Sequence, residues 1–176
     1  MNSFPEPPKI LIAGLGNIFL GDDLFGVAVV RALAKYSLPK NVKVIDFGIR
    51  GVDFAFELME PYDAVILVDV VQRGGSPGTV YLIEPDLSDF TLHPGVQTPL
   101  EPHGFIPTDV FGWLQLLGKK CQYVRLVGCE PFTLQASEVG EIALSPQLNG
   151  AIEQAIDIIQ SLVKTFSFTK MERPHA

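Results

Sequence analysis

Aspartates beside predicted strands are the residues of this chain most able to do chemistry. The stretch Ala13–Gly26 reads AGLGNIFLGDDLFG, so Asp22 and Asp23 follow a glycine-rich turn. Asp69 stands within the apolar sequence VILVDVV, where an ionised side chain is costly to desolvate unless another group pairs with it. Acidic side chains also favour helix N-termini through capping and the helix dipole. Since adjacent side chains point in different directions, we expect one of the pair to cap a helix and the other to face a cleft.

A histidine and a further aspartate extend the candidate set. His103 lies in a long, proline-bearing loop that also holds His93, and Asp46 stands near the end of the second apolar run, where we expect it to accept hydrogen bonds in a turn. Two carboxylates and an imidazole from separated segments are suitable ligands for a divalent ion that keeps open positions for substrate or water. The same groups can perform general acid–base chemistry without a metal, and Asp69 can alternatively cap a turn.

The elements that position these residues follow from the apolar pattern. Continuous β-branched runs predict buried strands, and apolar residues at helical spacing predict helices. The predicted strands are Lys9–Ala13, Asn41–Gly48, Ala64–Val71, Gly78–Pro85 and Tyr123–Pro131. The predicted helices are Asp22–Tyr36, Val52–Glu60, Thr108–Gly118 and Ser145–Phe166.

This order predicts an α/β fold, a three-layer α/β/α sandwich whose mostly parallel sheet of about five strands has one antiparallel strand. The antiparallel strand is Thr79–Glu84, because the link QRGGSPG before it is too short for a parallel crossover, and we expect it to form a hairpin with Ala64–Val71. Ligands of such sheets collect at the carboxyl ends of strands. We expect a single domain over residues 1–176, with a core of about 9–166 and flexible ends at 1–8 and 167–176.

The composition indicates an acidic globular protein. Of 176 residues, 47% are apolar and 19% are charged, and the net charge is −7. No cluster of Lys and Arg exceeds two residues, so we expect neither nucleic acid nor an anionic membrane as partner. Cys121 and Cys129 are too few for a disulfide scaffold, and we expect them to be small buried hydrophobes. Without a signal-peptide core or an apolar run of about 20 residues, the expectation is a cytoplasmic monomer.

The glycine-rich turn is a poor match to nucleotide-binding motifs. Gly14 and Gly16 are followed by Phe19 where the dinucleotide fingerprint needs a third glycine. The turn also lacks the Lys-Ser/Thr pair of a P-loop. A nucleotide is therefore not expected here.

Several short blocks make the sequence resemble the hydrogenase maturation proteases. The blocks are GLGNIFLGDDLFGV, VIDFGIRG, ILVDVVQRGGSPGTVYLIE, PHGF before a predicted helix, LVGCEP and the late LSP. Together they cover about Ile10–Leu162. The resemblance implies an endopeptidase that removes the C-terminal extension from the nickel-loaded large-subunit precursor of a nickel–iron hydrogenase.

The resemblance also implies roles for single residues. The family's metal ligands fall on Asp23, the second of the adjacent pair, on Asp69 and on His103. Nickel would then be supplied by the substrate, with no intrinsic cofactor, and zinc or cadmium can replace it in crystals. Asp23 or Asp69 would orient the attacking water, giving an aspartic-type, metal-dependent hydrolase that needs no Ser or Cys nucleophile.

Two loops are implied to contact the substrate. One is the glycine-rich loop after the second strand, with Gly48, Arg50 and Gly51, and the other contributes Asn17. One departure from the family is Leu24, which stands where glycine is common. Because the first turn of a helix tolerates leucine, we expect no loss of function from it.

The sequence shares features with three other classes of protein. Peptidyl-tRNA hydrolases also begin with a strand and GLGN, but here Ile18 and Phe19 follow, and no histidine precedes His93. Receiver modules carry an acidic pair directly at the first strand end and a lysine after the last strand, where this chain has Cys129 and Glu130. A chaperone that binds the hydrogenase subunit without cutting it remains open.

Overall fold

A five-stranded sheet forms the centre of the fold. The computed structural model describes residues 6–85, 123–136 and 142–171. The strands within these ranges are β1 (Ile10–Leu15), β2 (Val42–Gly48), β3 (Ala64–Val70), β4 (Val80–Ile83) and β5 (Tyr123–Cys129). The helices are a 3₁₀ turn (Gly21–Leu24), α1 (Phe25–Leu33), α2 (Gly51–Glu57), a second 3₁₀ turn (Pro146–Leu148) and α3 (Ala151–Met171). The helix predicted over Thr108–Gly118 lies outside the described residues.

The strand order is β2-β1-β3-β5-β4. The first four strands of this order run parallel, and β4 is antiparallel to β5. The predicted fold class, a mostly parallel sheet of five strands with one antiparallel strand and helices, is confirmed.

Helices cover both faces of the sheet. Ile10 and Ile12 of β1 pack in one apolar cluster with side chains of α1 and α3. Their neighbours Leu11 and Ala13 pack in a second cluster with Phe54 of α2. Because both faces are buried, β1 and β3 are continuous apolar runs rather than alternating ones. No helix in the described part of the chain is both long and apolar enough to cross a membrane.

The hairpin predicted between Ala64–Val71 and Thr79–Glu84 is wrong. β5 lies between the two strands, and β4 pairs with β5 instead. The connecting loop passes over the end of β5, where the Gly78 N–H donates to the Glu130 carbonyl at 2.8 Å. Two inter-strand steps span only ~10 Å, which a loop of this length reaches easily. The loop length therefore fixed the strand's direction but not its neighbour.

The three predicted helices that fall within the described residues differ in their bounds, and the second spans Gly51–Glu57 rather than Val52–Glu60. In place of one helix over Asp22–Tyr36, a 3₁₀ turn precedes α1, which ends at Leu33. The last helix likewise begins with a separate 3₁₀ turn at Pro146, and α3 continues to Met171 rather than ending at Phe166. In both cases the backbone just before the helix is held by bonds to distant segments, described below, which a local pattern does not reveal.

Close contact between α1 and the sheet depends on a glycine. A Cβ atom added at Gly26 would lie 2.1 Å from the Val68 carbonyl oxygen and 2.4 Å from that of Leu15. Both obstacles are backbone, so neither can turn aside. Gly26 thus fixes the start of α1 against the ends of β1 and β3.

We predict that Gly26→Ala lowers the free energy of unfolding by about 3 kcal/mol, because the added methyl group forces α1 away from both strands. Gly150→Ala is the matched control, since a Cβ there meets no atom within 4 Å. It should change stability by less than about 0.5 kcal/mol. Urea unfolding followed by circular dichroism measures both, and equal stabilities of the two variants would contradict the packing argument.

Candidate active site

Asp23 is held against the turn that follows β1. Its Oδ2 accepts a hydrogen bond from the Asn17 N–H at 2.6 Å, and Asn17 Oδ1 accepts one from the Phe19 N–H at 3.0 Å. Gly16 has a φ of +118°, and a Cβ there would lie 1.9 Å from the Asp23 carbonyl oxygen. The glycine-rich turn therefore lets the backbone of Asp23 approach β1 closely while an N–H of the same turn binds its carboxylate.

Asp69 lies at the carboxyl end of β3, with its side chain half buried. Burial raises the pKa of this carboxyl to about 7, although the Val70 N–H, which donates to its Oδ1 at 2.8 Å, acts in the opposite direction. The negative charge of Asp23 raises the pKa of Asp69 further. Burial also raises the pKa of Asp23, against the lowering effect of the Asn17 N–H.

The structure thus brings two of the three proposed metal ligands into one electrostatically coupled site. Asp23 and Asp69 come from different segments, and Asp23 lies close enough to the carboxyl end of β3 for its charge to raise the pKa of Asp69. His103 lies outside the described residues, as does His93, so the third ligand stays a prediction. Within residues 6–85, 123–136 and 142–171, no group of three or more His, Cys, Asp or Glu side chains could hold a metal ion.

Asp22 has a different task from its neighbour. It is completely buried, and its Oδ2 accepts the N–H groups of Phe132 at 2.8 Å and Thr133 at 3.0 Å. Its Oδ1 accepts the Ser145 N–H at 2.7 Å. The 3₁₀ turn at Gly21–Leu24 has no side-chain cap. The expectation that one aspartate of the pair caps a helix is therefore wrong, because the Asp22 carboxylate instead binds three backbone N–H groups from two distant segments.

A cleft of about 390 Å³ opens beside Asp23. Its walls are residues 16–19 of the first turn, residues 46–50 at the end of β2, and Arg31 of α1. The two loops are joined where the Gly16 N–H donates to the Gly48 carbonyl at 3.1 Å. Of the residues predicted to contact substrate, Asn17, Gly48 and Arg50 line this cleft, whereas Gly51 is buried at the start of α2.

Asp46 is part of an ion pair rather than of a turn. Its Oδ2 accepts from Arg31 Nε at 3.0 Å and lies 2.9 Å from the Nη2 atom of the same side chain. Arg50 donates to the backbone carbonyls of Asp46 and Phe47, the latter at 3.1 Å. Asp46, which was expected to accept hydrogen bonds in a turn, thus fixes the guanidinium of Arg31 at the cleft.

Glu130 has a role that the sequence reading did not assign. It is only 5% exposed, and its carboxylate accepts the N–H groups of Arg73 and Gly74 and the Tyr81 hydroxyl at 2.9–3.1 Å. Desolvation alone would raise its pKa, but the loop N–H groups and the Tyr81 hydroxyl outweigh it and hold the pKa below its usual range. Glu130 thereby holds the loop that follows Asp69. The sequence feature that could have pointed to this role is an acidic residue directly after an apolar strand.

Cys129 is not a nucleophile. The side chain is fully buried, and burial raises the pKa of its thiol to about 12, with further contributions from the charges of Asp22 and Glu130. The thiol stays protonated at neutral pH and packs in the core, which confirms the expected role of this cysteine. Cys121 lies outside the described residues.

We predict that substitution of the two adjacent aspartates changes stability by very different amounts. Asp22→Ala leaves three backbone N–H groups without their acceptor and should lower the free energy of unfolding by about 3–5 kcal/mol. Asp23→Ala loses one N–H bond and also removes a repulsive charge, so its stability should stay within about 1 kcal/mol of the wild type. Chemical unfolding of the two variants distinguishes them, and similar losses would show that Asp22 is not the structural member of the pair.

The raised pKa of Asp69 predicts a pH-dependent stability. The folded state keeps this proton up to pH about 7, whereas an unfolded aspartate releases it near pH 4, so stability falls as the pH rises between these values. Asp69→Asn cannot ionise, so its free energy of unfolding relative to the wild type should rise by about 2 kcal/mol from pH 4 to pH 7, a value that allows for solvent screening of the half-buried carboxyl. Urea unfolding in the presence of a chelator measures the difference, with the exposed Asp157→Asn as control. Parallel pH profiles for wild type and Asp69→Asn would contradict the raised pKa.

Comparison with known protein families gives a consistent result. The chain matches the sequence model of the HycI hydrogenase maturation protease family over residues 27–162, a range that includes positions 69 and 103 and begins just after Asp23. It is 30% identical over 172 residues to the hydrogenase expression/formation protein HupD of Rhizobium leguminosarum bv. viciae, covering 97% of this chain and 81% of that protein. It is 33% identical over 162 residues to a putative hydrogenase maturation protease of Methanocaldococcus jannaschii, covering 88% and 96%.

Solved structures agree with the sequence matches. The hydrogenase maturating endopeptidase HybD from E. coli superimposes with a TM-score of 0.72 at 28% identity, covering 89% of this chain and 93% of that one. The [NiFe] hydrogenase maturation protease HycI from Thermococcus kodakarensis gives a TM-score of 0.67 at 26% identity, covering 92% and 96%. The chain therefore belongs to the hydrogenase maturation protease family, endopeptidases that act on the precursors of hydrogenase large subunits.

Proposed function

We propose that this protein removes the C-terminal extension from the nickel-loaded large-subunit precursor of a nickel–iron hydrogenase. The observation that carries the proposal is the coupled pair Asp23 and Asp69 at the carboxyl edge of the sheet, both with a raised pKa. Family membership supports the reaction class, and the pair supplies groups suited to it.

Nickel in this proposal belongs to the substrate and is recognised by Asp23, Asp69 and His103. Two carboxylates and an imidazole are suitable ligands for a divalent ion. Burial of one carboxyl beside the charge of the other disfavours the doubly ionised state. An incoming cation favours that state, so nickel-loaded precursor would be bound in preference to precursor without metal. The protein would need no cofactor of its own, and zinc or cadmium could occupy the same ligands in crystals.

Hydrolysis in this proposal is aspartic-type and depends on the substrate's metal. A carboxyl with a pKa of about 7 is half ionised at neutral pH, where it is effective as a general base. Asp69 or Asp23 would hold the attacking water and accept its proton as the water adds to the scissile carbonyl. The same carboxyl would then pass the proton to the leaving amine nitrogen as the C–N bond breaks. The buried, protonated thiol of Cys129 takes no part.

The proposed partner is the precursor alone, bound by a monomer in the cytoplasm. Asn17, Gly48 and Arg50, which line the cleft beside Asp23, would contact the extension together with the backbone around Gly51.

We predict that the wild type shortens nickel-loaded precursor to its mature length on a gel and leaves nickel-free precursor uncut. Asp69→Ala, Asp23→Ala and His103→Ala should each lower the rate by at least about 100-fold, because each loses a metal ligand or the base. Asp157→Ala, which removes an exposed carboxylate on α3, should keep the wild-type rate.

Two results would contradict the proposal. Full activity of Asp69→Ala would remove its chemical basis. Stable binding of nickel-loaded precursor by the wild type, without any shortening, would favour the non-catalytic chaperone.

A further inference from the structure

Two arginines, Arg31 and Arg50, line the cleft beside Asp23, and the chemistry that their guanidinium groups would recognise in the extension has not yet been assigned. The side chains of Arg31 and Arg50 are 60% and 58% exposed, yet both are fixed by acceptors of the protein. Arg31 is held by the Asp46 carboxylate, and Arg50 by the carbonyls of Asp46 and Phe47. Each guanidinium has five N–H donors, so these bonds orient it without exhausting its capacity.

An oriented guanidinium is the protein group best matched to a carboxylate, because it can donate two parallel hydrogen bonds. Asp46 and Asp53, the latter 3.8 Å from Arg50 Nε, balance the formal charge of the two arginines. The cleft is therefore not simply a positive patch. Its selectivity for an anion arises from directed donors, which favour a planar carboxylate over a diffuse negative charge.

The same cleft exposes apolar side chains. Phe19 on the first turn is 65% exposed and Ile49 on the loop after β2 is 57% exposed, and both line the cleft. An apolar side chain placed against them would remove much of this area from water, which favours binding by ~25 cal/mol per Å². Apolar contacts and directed donors in one cleft are typical of a peptide-binding subsite.

The cleft is continuous with the candidate active site. Asn17 lines the cleft, and its N–H is bonded to the Asp23 carboxylate. A peptide bond held at Asp23 and Asp69 would thus have its next few residues in the cleft, since an extended chain advances ~3.3 Å per residue.

We propose that the part of the extension bound in this cleft carries an apolar side chain, which packs against Phe19 and Ile49, and a carboxylate, which binds Arg31 and Arg50. The inference rests on the proposed function, because the extension is the segment to be removed. The carboxylate is either an acidic side chain of the extension or its C-terminal carboxylate. Both present the same chemistry to the arginines, and the experiment separates them.

The first arm is steady-state cleavage of nickel-loaded precursor by Arg31→Gln and Arg50→Gln. Each should raise KM about 10-fold with kcat within about twofold of the wild type, because the lost contact is made equally in the ground state and the transition state. Lys164→Gln removes an exposed positive charge on α3 and is the matched control. Circular dichroism checks the fold, and Arg50→Lys, which keeps the charge but loses the planar fork, replaces Arg50→Gln if that variant does not fold.

The second arm measures binding of a fluorescent synthetic peptide with the sequence of the extension. If the C-terminal carboxylate is the ligand, amidating the peptide should weaken binding by the wild type about 10-fold and leave the weaker binding by Arg50→Gln unchanged. If an acidic side chain is the ligand, Asp→Asn or Glu→Gln changes in the peptide should have that effect instead.

The outcomes separate this inference from the proposed function. Wild-type cleavage with unchanged KM and unchanged peptide affinity in both arginine variants would overturn the inference and leave the function standing. Absence of cleavage by the wild type would overturn the function, and the peptide arm would still decide whether the arginines bind the extension.

Discussion

The buried carboxylate of Asp22 holds together the part of the molecule on which the candidate site depends. A fully buried carboxylate is unfavourable unless hydrogen bonds replace its hydration, and three backbone N–H groups do so here. These donors belong to the segment after β5 and to the residue before the second 3₁₀ turn. The position of the short turn that carries Asp23 is consequently fixed by these two distant segments and not only by its neighbours in sequence.

Two carboxylates at the ends of adjacent parallel strands show how local donors decide their chemistry. Glu130, after β5, accepts several N–H groups and a hydroxyl, and its pKa falls. Asp69, at the end of β3, accepts the N–H of Val70, and burial beside the charge of Asp23 raises its pKa to about 7. Hydrogen-bond donors stabilise the ionised form of a carboxylate, which can then hold neighbouring segments in place. A carboxylate with few donors and a like charge nearby binds a proton or a cation more readily. That contrast separates the groups that hold the fold from the pair assigned here to binding and hydrolysis.

Hydrogen-bond partners also determine the orientation of the two arginines in the cleft beside Asp23. Asp46 fixes Arg31, and strand carbonyls fix Arg50, so both guanidiniums are oriented before any ligand arrives. Orientation in advance reduces the conformational entropy that binding must overcome. Close backbone contacts that only glycine permits, at Gly16 and Gly26, keep the first turn and α1 in the register that forms this cleft.

The sequence by itself determined the fold class, the main strands and the family. Strands buried on both faces appear in the sequence as continuous apolar runs. The glycine-rich turn and the acid within VILVDVV are also local features, so they can be recognised without knowing the tertiary structure. The neighbour of β4 and the partners of Asp22, Asp46 and Glu130 were decided only by the tertiary structure. Asp22 bonds to Phe132, 110 positions away, and β5 lies between β3 and β4 although it follows both of them in the chain. Such contacts depend on how whole elements pack. The sequence shows that a residue carries a charge, but the N–H groups that bind it come from segments that are distant in sequence and approach it only in the folded chain.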